Sequence, residues 1–315
     1  MIIAGLDFGG TAVKIGLITG AGTVMSKTEM AFEAKKSFED LVESVCHSVQ
    51  TLQISAQVEL SAVGISTPGY AHPGSGVLID GTHNVPVLKG RSLPAALGDR
   101  LRLPAFIDND GTCAVMGELR FGAGRRFNNF VLITIGTGIG GGVVVGGKLH
   151  LGLSGAAGEL GHQPVEIDGL PCNCGGRGCL EMYASGLAIT AQAVQAVVQR
   201  RPTRIGVMAR DRLELISVKE VVQAARLGDE VAKRILERAG TYLGIGISNS
   251  LVTLAPDRVV FAGGVSTAGE LLLGPAKDVV RQRVHLVPVD RISFVQAELG
   301  DDAGLVGAAL WASQS

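Results

Sequence analysis

Three short apolar segments of the chain run directly into glycine clusters. They are LDFGGT at 6–11, TIGTGIGG at 134–141 and FAGG at 261–264. Short apolar segments that end in glycine predict buried strands followed by tight turns. A second β-type segment follows each of the first two, whereas a helical pattern follows the third. This weak internal echo, with helical and β-type segments mixed along the chain, predicts an α/β protein.

The remaining elements follow from hydrophobic spacing and from turn residues. Residues 70–90 are rich in Gly, Pro, His and Asn, which predicts a long irregular loop of the kind that often carries function. Strands are predicted at 2–7, 12–19, 24–32, 62–67, 104–107, 131–135, 143–149, 258–262 and 292–295, and helices at 38–53, 92–101, 111–121, 183–199, 217–226, 228–250, 265–285 and 301–313.

Composition excludes several classes of partner. The 28 Lys and Arg residues balance 29 Asp and Glu residues, so no electrostatic field attracts nucleic acid or an anionic membrane. The segment 130–147 is apolar and uncharged over a length that could span a membrane, but its glycines favour strand–loop–strand. The first residues lack the features of a signal peptide. We therefore expect a cytoplasmic protein with a small-molecule substrate.

Three of the five cysteines fall within eight residues, near a histidine. Cys172, Cys174, Cys179 and His162 would form a complete tetrahedral set for zinc. Because no ligand position stays open, such a zinc ion would be structural. The alternatives are free thiols beside an unrelated histidine, or a redox pair at Cys172 and Cys174. An odd number of clustered cysteines does not resemble a secreted disulfide framework.

Two glycine turns have a composition that suits phosphate. In the first, Asp7 precedes Gly9, Gly10 and Thr11, so backbone N–H groups can approach phosphate and the carboxylate can hold Mg²⁺ through water. An ordinary hairpin turn is the alternative. The second, at 136–142, matches GxGxxG, but a strand follows it instead of a helix, which excludes a Rossmann site. A hairpin that presents N–H groups to phosphate remains open.

Acidic residues mark two further places. Asn109 and Asp110 open a predicted helix, where Asp110 is either a cap or a general base for a hydroxyl nucleophile. We expect the adjacent Asp108 to be its solvated neighbour. Glu159 and Glu181 bracket the cysteine cluster, where carboxylates could accept hydrogen bonds from a sugar, or could be ordinary surface acids.

Together these segments resemble the ROK family (repressor, open reading frame, kinase) of sugar kinases over almost the whole chain. DNDGTCA and the following FGAG at 121–124 look like the N-acetylmannosamine kinase branch, whereas GAAGELGH is also similar to glucokinases. The segments that carry the resemblance are LDFGGTAVKIGL at 6–17, STPGY at 66–70, DNDGTCA at 108–114, ITIGTGIGGG at 133–142, GELGH at 158–162, CNCGGRGCLE at 172–181 and FAGGVS at 261–266.

The resemblance implies an α/β, actin-like ATPase (ribonuclease H-like) fold with two domains around a cleft. We place a small N-terminal domain at 1–110, with the C-terminal helix near 300–315 packing back on it. A larger α/β domain with the zinc loop then covers 111–299. The family also implies ATP, Mg²⁺ and a structural Zn²⁺, and a homodimer or a higher homo-oligomer.

The family's functional residues carry over to this chain by position. Asp110 would be the catalytic base that activates the C6 hydroxyl of the sugar, and His162 would be both a zinc ligand and a neighbour of the sugar. The sugar-binding set would be Gly69, Asn84, Asn109, Asp110, Glu159, His162 and Glu181. The nucleotide set would be Asp7, Gly9, Gly10, Thr11, Thr137 and Gly138 at phosphate and Mg²⁺, with Gly263 and Gly264 near adenosine.

These features predict ATP-dependent phosphorylation of an aldohexose, with glucose as the first candidate. N-acetylmannosamine or N-acetylglucosamine is the alternative acceptor. A non-catalytic, sugar-responsive regulator is the candidate from another class. Repressors of the family carry an N-terminal helix-turn-helix module, and because a phosphate strand is predicted from residue 2 we expect no such module here. We expect a sugar and a nucleotide as partners, without nucleic acid or membrane.

Overall fold

A computed structural model describes residues 1–10, 12–31, 37–72, 74–80 and 85–314 of the chain. The chain divides into two units, each considered by itself below. The first contains Met1–Arg126, Gly152–Gly155 and the segment from Ala297 onward, and the second contains Phe127–Leu151 and Ala156–Gln296. The first unit thus extends past residue 110, where the sequence-based division ended its domain.

The first unit carries one main sheet and a small hairpin. Its elements are the strands β1 (Ile2–Phe8), β2 (Ala12–Thr19), β3 (Val24–Ala31), β4 (Ala62–Thr67), β5 (Tyr70–Ala71), β6 (Leu78–Asp80) and β7 (Ala105–Asn109), and the helices α1 (Phe38–Ala56), α2 (Leu93–Leu101) and α3 (Asp110–Phe121). The main sheet has the order β3-β2-β1-β4-β7. β1, β2 and β3 pair antiparallel, whereas β1, β4 and β7 pair parallel.

The second unit carries a sheet with the same arrangement. Its elements are the strands β8 (Phe130–Ile135), β9 (Ile139–Val145), β10 (Lys148–Leu149), β11 (Arg258–Ala262) and β12 (Ser293–Gln296), and the helices α4 (Glu181–Ala184), α5 (Gly186–Val198), α6 (Ile205–Met208), α7 (Val218–Arg226), α8 (Glu230–Leu254) and α9 (Glu270–Arg283). The order is β10-β9-β8-β11-β12. β8, β9 and β10 pair antiparallel, and β8, β11 and β12 pair parallel. The weak sequence echo therefore corresponds to a repeated topology.

Amphipathic helices cover the sheet of the first unit. Ser37 caps α1 by accepting a hydrogen bond from the backbone N–H of Asp40 at 3.1 Å. The apolar face of α1, which includes Phe38, Val42 and Val49, is buried in a core shared with β1, β2 and β4. Burial of these side chains, at about 1.5–3 kcal/mol each, holds the helix to the sheet.

The final helix of the chain, α10 (Ala303–Gln314), packs on the sheet of the first unit through bare backbone. A Cβ atom at Gly64 in β4 would overlap the carbonyl oxygen of Ala308 in α10, and one at Gly307 would overlap the carbonyl oxygen of Cys113 in α3. Glycine is thus required where α10 meets both its sheet and its neighbouring helix. This packing brings a helix from the end of the chain onto strands from its beginning.

Several predicted boundaries shift in the structure. The predicted turn at 136–142 is wrong beyond Gly138, because β9 begins at Ile139 and its glycines pair with β8. A Cβ at Gly141 would overlap the carbonyl oxygen of Leu132 in β8, so close packing explains this glycine better than turning does. The predicted strand at 143–149 is two strands joined by a turn at Gly146 and Gly147, both with positive φ.

Other differences concern the helices of the second unit. The predicted helix at 183–199 is α4 followed by α5, with a break at Ser185. Gly264 opens a 3₁₀ helix at Gly264–Ala268 before α9 begins. Within the described part of the chain, no helix is both long and apolar enough to cross a membrane, and the segment 130–147 forms β8, β9 and the turns that follow them.

The packing of α10 predicts a large effect of a single methyl group. We expect Gly64→Ala to lower the free energy of unfolding by about 1–3 kcal/mol or more, because an overpacked site forces backbone to move. Gly20→Ala is the matched control, since the nearest atom to its added Cβ is 3.9 Å away. Chemical denaturation of the three proteins measures the difference, and equal midpoints for Gly64→Ala and wild type would contradict the packing.

Candidate active site and metal centre

The polar side chains of the first unit meet where its parallel strands end. The strand register aligns Asp7 of β1 with Ser66 of β4, and Ser66 with Asp108 of β7. The Ser66 hydroxyl donates a hydrogen bond to Asp7 Oδ1 at 2.6 Å. Three residues far apart in sequence therefore lie side by side at one edge of the sheet.

Asp7 is a partly buried carboxylate with charged neighbours. Burial raises its pKa above the usual range; the hydroxyl of Ser66 and the charge of Lys14 oppose this, whereas Asp301 and Asp302 add to it. Lys14 faces Asp7 because the two residues pair across the β1–β2 hairpin. The Lys14 Nζ also donates to the carbonyl oxygen of Asp301 at 3.0 Å. Lys14 was not among the predicted site residues, because the spacing of the strands predicted at 2–7 and 12–19 does not give their register.

Gly9 and Gly10 lie directly after β1, beside Asp7. The N–H of Gly9 donates to the carbonyl oxygen of Ala12 at 2.8 Å, which closes the hairpin, and Gly10 is exposed. Two residues of the predicted set, Thr11 and Asn84, lie outside the described residues.

Asn109 joins the end of β7 to the start of α3. Its side-chain Oδ1 accepts a hydrogen bond from the N–H of Gly111 at 2.9 Å, and its Nδ2 donates to the carbonyl oxygen of Gly69 at 3.1 Å. Asn109 is therefore the helix cap, and it also ties Gly69 to this turn. Asp110 is the first helical residue, and its exposed carboxylate accepts a hydrogen bond from the Gly111 N–H at 2.8 Å.

Asp108 is not the solvated neighbour that the sequence predicted. It is partly buried, its Oδ1 accepts a hydrogen bond from the N–H of Asn109 at 2.7 Å, and Thr112 also donates to it. Burial raises its pKa from 3.8 to about 6. The prediction is wrong because β7 keeps Asp108 within the sheet, whereas Asp110 has already left it. The thiol of Cys113 nearby is fully buried, which raises its pKa well above the usual range.

The glycine loops of the second unit also meet at one edge of a sheet. Thr137 and Gly138 connect β8 to β9, and Gly263 and Gly264 follow the adjacent parallel strand β11. Gly263 has a φ of +84°, and a Cβ there would overlap the backbone of Ile135 at the end of β8. Glycine is therefore required for these two loops to approach each other.

The loop between β8 and β9 rests on α4 and α5. The N–H of Gly186 donates to the carbonyl oxygen of Gly136 at 2.8 Å. The carboxylate of Glu181, at the start of α4, accepts a hydrogen bond from the N–H of Ile139 through Oε2 at 2.9 Å. Glu181 thus contacts the loop that contains Thr137 and Gly138, a contact that the sequence did not indicate.

The four side chains predicted to bind a metal converge in the second unit. One ligand atom from each of His162, Cys172, Cys174 and Cys179 lies within 4.8 Å of all the others. The Cys172 Sγ lies 3.6 Å from His162 Nδ1, and the Cys174 and Cys179 sulfurs are 3.7 Å apart. Tetrahedral zinc, with bonds of about 2.3 Å to sulfur and about 2.0–2.1 Å to nitrogen, spaces such atoms about 3.5–3.8 Å apart. The donor set and its spacing therefore fit zinc.

An aromatic pair holds the loop that carries these ligands. The rings of Tyr183 and Tyr242 stack with centroids 4.3 Å apart. The Tyr183 hydroxyl accepts a hydrogen bond from the N–H of Leu170 at 2.7 Å, and the Tyr242 hydroxyl donates to Glu166 at 3.2 Å. The loop is thus anchored to α4 and α8 independently of any metal.

His162 presents its two ring nitrogens to different groups. Nδ1 faces the thiols, whereas Nε2 lies 3.9 Å from the exposed carboxylate of Glu159. A carboxylate near the second nitrogen is the arrangement that orients a metal-binding histidine. Glu159 and His162 therefore lie together, as the sequence analysis expected.

Comparison with known proteins places the chain in a family. The model of the ROK family matches residues 3–315. The chain belongs to the ROK family. A glucokinase of Thermotoga maritima is 34% identical over 98% of this chain and 96% of its own length. A glucokinase of Halalkalibacterium halodurans is 32% identical over 96% of this chain and 92% of its own length.

A crystal structure from the ROK family closely matches the fold. It is a ROK family glucokinase from Streptomyces griseus in complex with glucose and AMPPNP, with a TM-score of 0.87, 32% identity and coverage of 100% of both chains. The predicted family and its actin-like α/β fold are therefore confirmed.

The buried position of Asp108 predicts a pH-dependent stability. Because its pKa is raised, the folded state holds this proton more tightly than the unfolded state does. Protonated Asp108 therefore stabilises the folded state fully below pH 3.8, and this stabilisation is lost as the pH rises through about 6. We expect Asp108→Asn, which keeps an oxygen acceptor for the Asn109 N–H, to be more stable than wild type at pH 8 by up to about 3 kcal/mol.

Thermal unfolding of both proteins between pH 5 and pH 8 measures this effect. The advantage of Asp108→Asn should shrink as the pH falls, since wild-type Asp108 is then protonated. Asp99→Asn, on the exposed side of α2, controls for the change in net charge. A difference between Asp108→Asn and wild type that is the same at every pH would contradict the assigned burial effect.

Proposed function

We propose that this protein is an ATP-dependent hexokinase that phosphorylates the C6 hydroxyl of an aldohexose, with glucose as the acceptor. The proposal is supported by whole-chain similarity to glucokinases, one of them solved with glucose and AMPPNP. N-acetylmannosamine and N-acetylglucosamine remain alternative acceptors. A homodimer or higher homo-oligomer stays a prediction from the family.

One observation in the structure carries the proposal. Asp7, Asn109 and Asp110 lie at the carboxyl ends of parallel strands within one sheet. Asp7, whose carboxylate suits a phosphate-bound cation, thus lies at the same edge of the sheet as Asp110, whose exposed carboxylate can accept a proton. Phosphoryl transfer requires both functions, because catalysis consists mainly of positioning and charge neutralisation.

Asp110 acts as the general base in this proposal. Its exposed position at the first turn of α3 leaves it accessible to a substrate hydroxyl. As the C6 oxygen bonds to the γ-phosphorus and the bond to the β-phosphate oxygen breaks, Asp110 accepts the hydroxyl proton. Asn109 orients this turn by capping α3 while it holds Gly69.

The acceptor is held by the remaining residues of the sugar set. Glu159, His162 and Glu181 offer carboxylate and imidazole atoms that accept or donate hydrogen bonds to sugar hydroxyls. Gly69 lies next to Asn109 through the amide hydrogen bond described above. The role of Asn84 stays a prediction from the family.

The donor nucleotide is held mainly by backbone. The family's pattern assigns phosphate to Gly9 and Gly10, which have no Cβ to block its approach, and to Thr137 and Gly138, which offer a hydroxyl and a further position without a Cβ. Gly263 and Gly264 would lie near adenosine, and Thr11 would complete the first loop. Each of these assignments follows the family's pattern by position.

Asp7 fits a magnesium ion. Its carboxylate oxygens are the ligand type that Mg²⁺ prefers, and a cation would offset the burial that raises its pKa. When bound, Mg²⁺ would neutralise charge on the phosphates. Ser66 holds Asp7 in place, and Lys14 supplies a fixed positive charge beside it.

Asp110→Asn should separate binding from catalysis. We expect kcat to fall by about 10²- to 10⁴-fold, the usual contribution of a general base, while glucose still binds. Coupled ADP release with Mg-ATP across glucose, mannose, N-acetylmannosamine and N-acetylglucosamine measures activity, and calorimetry measures sugar binding. Asp99→Asn is the control that should keep full turnover.

The same assay tests the function itself. One strongly preferred hexose would support the kinase and identify its acceptor. Wild-type protein that releases no ADP with any sugar would overturn the proposal, and Asp110→Asn with normal kcat would refute the base assignment alone.

Zinc binding by His162, Cys172, Cys174 and Cys179 should support folding. Since the free energy of zinc binding to such sites contributes to folding, we expect Cys174→Ser to lose zinc and to melt several degrees lower. Elemental analysis gives the zinc content and calorimetry gives the Tm. Cys46→Ser is the control, because this buried thiol lies outside the cluster and its loss should leave zinc in place. Wild-type protein without zinc would remove the assignment.

A further inference from the structure

We propose that Glu181 is a positioning residue that couples acceptor binding to the shape of the nucleotide loop. One oxygen of its carboxylate holds the loop between β8 and β9, and the other accepts a hydrogen bond from the sugar. The inference rests on the proposed function, which assigns the sugar to Glu181 and phosphate to Thr137 and Gly138. It adds a direct link between the two substrates.

The hydrogen bond of Glu181 leaves half of its carboxylate available. Oε2 accepts from the N–H of Ile139 at 2.9 Å, immediately after Gly138. Within the described part of the chain, Oε1 accepts no hydrogen bond, and Glu181 is only partly buried. An ionised carboxylate can accept several hydrogen bonds, so Glu181 can hold the loop and a sugar hydroxyl at the same time.

The carboxyl group of Glu181 packs directly against Gly138. The three heavy atoms nearest to a Cβ built on Gly138 all belong to the Glu181 carboxyl group, and Oε2 would overlap it. The φ of Gly138 lies outside the left-handed region, so the backbone itself would tolerate alanine. A Cβ at this position would therefore fit only if the carboxylate of Glu181 moved away from it.

Other contacts fix both ends of this link. The carbonyl oxygen of Ile139 packs against Gly161, where a Cβ would overlap it. The N–H of Leu180, next to Glu181, donates to the carbonyl oxygen of Gln163 at 3.0 Å. The segments that carry His162 and Cys179 thus hold Glu181 and the start of β9 together. If the sugar displaced the carboxylate of Glu181, the loop between β8 and β9 would therefore move with it.

The two roles of Glu181 can be separated by substitution. In Glu181→Gln, the amide oxygen can still accept from the Ile139 N–H, so we expect the Kd for AMPPNP measured without sugar to change by less than twofold. The charged acceptor for the sugar is lost, and KM for glucose should rise about 10- to 100-fold, as for a hydrogen bond to a charged group. Glu181→Ala should raise both the Kd for AMPPNP and the KM for glucose. Glu230→Ala, at the first turn of α8, is the matched control for loss of an acidic residue at a helix start.

A double-mutant cycle tests the link directly. Gly138→Ala should raise KM for glucose as well as the Kd for AMPPNP, because its Cβ displaces the carboxylate. In the Glu181→Ala background the same change should have little further effect on either constant. Additive effects of Gly138→Ala and Glu181→Ala would overturn the inference, as would a glucose KM for Gly138→Ala equal to that of wild type.

Hydrogen exchange supplies a readout without substrates. The Ile139 amide should exchange faster in Glu181→Ala than in wild type or Glu181→Gln, since its acceptor is gone. Equal exchange in all three proteins would overturn the positioning role. Wild-type protein that phosphorylates a hexose but shows an additive cycle refutes this inference alone, whereas wild-type protein inactive on every sugar refutes the proposed function together with it.

Discussion

Parallel pairing of β1, β4 and β7 is the constraint that brings the polar side chains of the first unit together. Parallel strands end at the same edge, so the backbone hydrogen bonds of the sheet determine which side chains become neighbours. Asp7, Ser66 and Asp108 are aligned by that register although about 60 and 40 residues separate successive members. Asn109 and Asp110 follow at the next positions, where the strand gives way to α3. Ligands of open α/β sheets bind beyond such edges.

The second unit repeats the arrangement with different side chains. Its sheet has the same order and the same strand directions, and glycine loops follow β8 and β11 as Gly9 and Gly10 follow β1. The loop after β8 is held by the carboxylate of Glu181, and the loop after β11 approaches Ile135 through Gly263. The repeated scaffold therefore positions a glycine loop suited to phosphate in each unit, and in the first unit it also positions carboxylates suited to cation binding and proton transfer.

Burial gives chemically similar residues different properties at this site. Asp108 and Asp110 are two positions apart, yet one lies within the sheet with a raised pKa and the other is exposed. Burial removes water from the charged form of Asp108, and the hydrogen bonds from Asn109 and Thr112 restore only part of the lost solvation. The roles proposed for these acids follow from that difference in environment.

The sequence alone determined the α/β class, most strands and helices, and the grouping of His162 with three cysteines, because these follow from local spacing. It also indicated the repeat, through glycine clusters after short apolar strands. Only the tertiary structure decided that Asp108 is partly buried, that Lys14 faces Asp7, and that Glu181 holds the N–H of Ile139. These contacts depend on strand register and on the approach of distant segments. The glycines of β9 show the same limit, since a sequence gives no sign of which backbone will pack against a glycine.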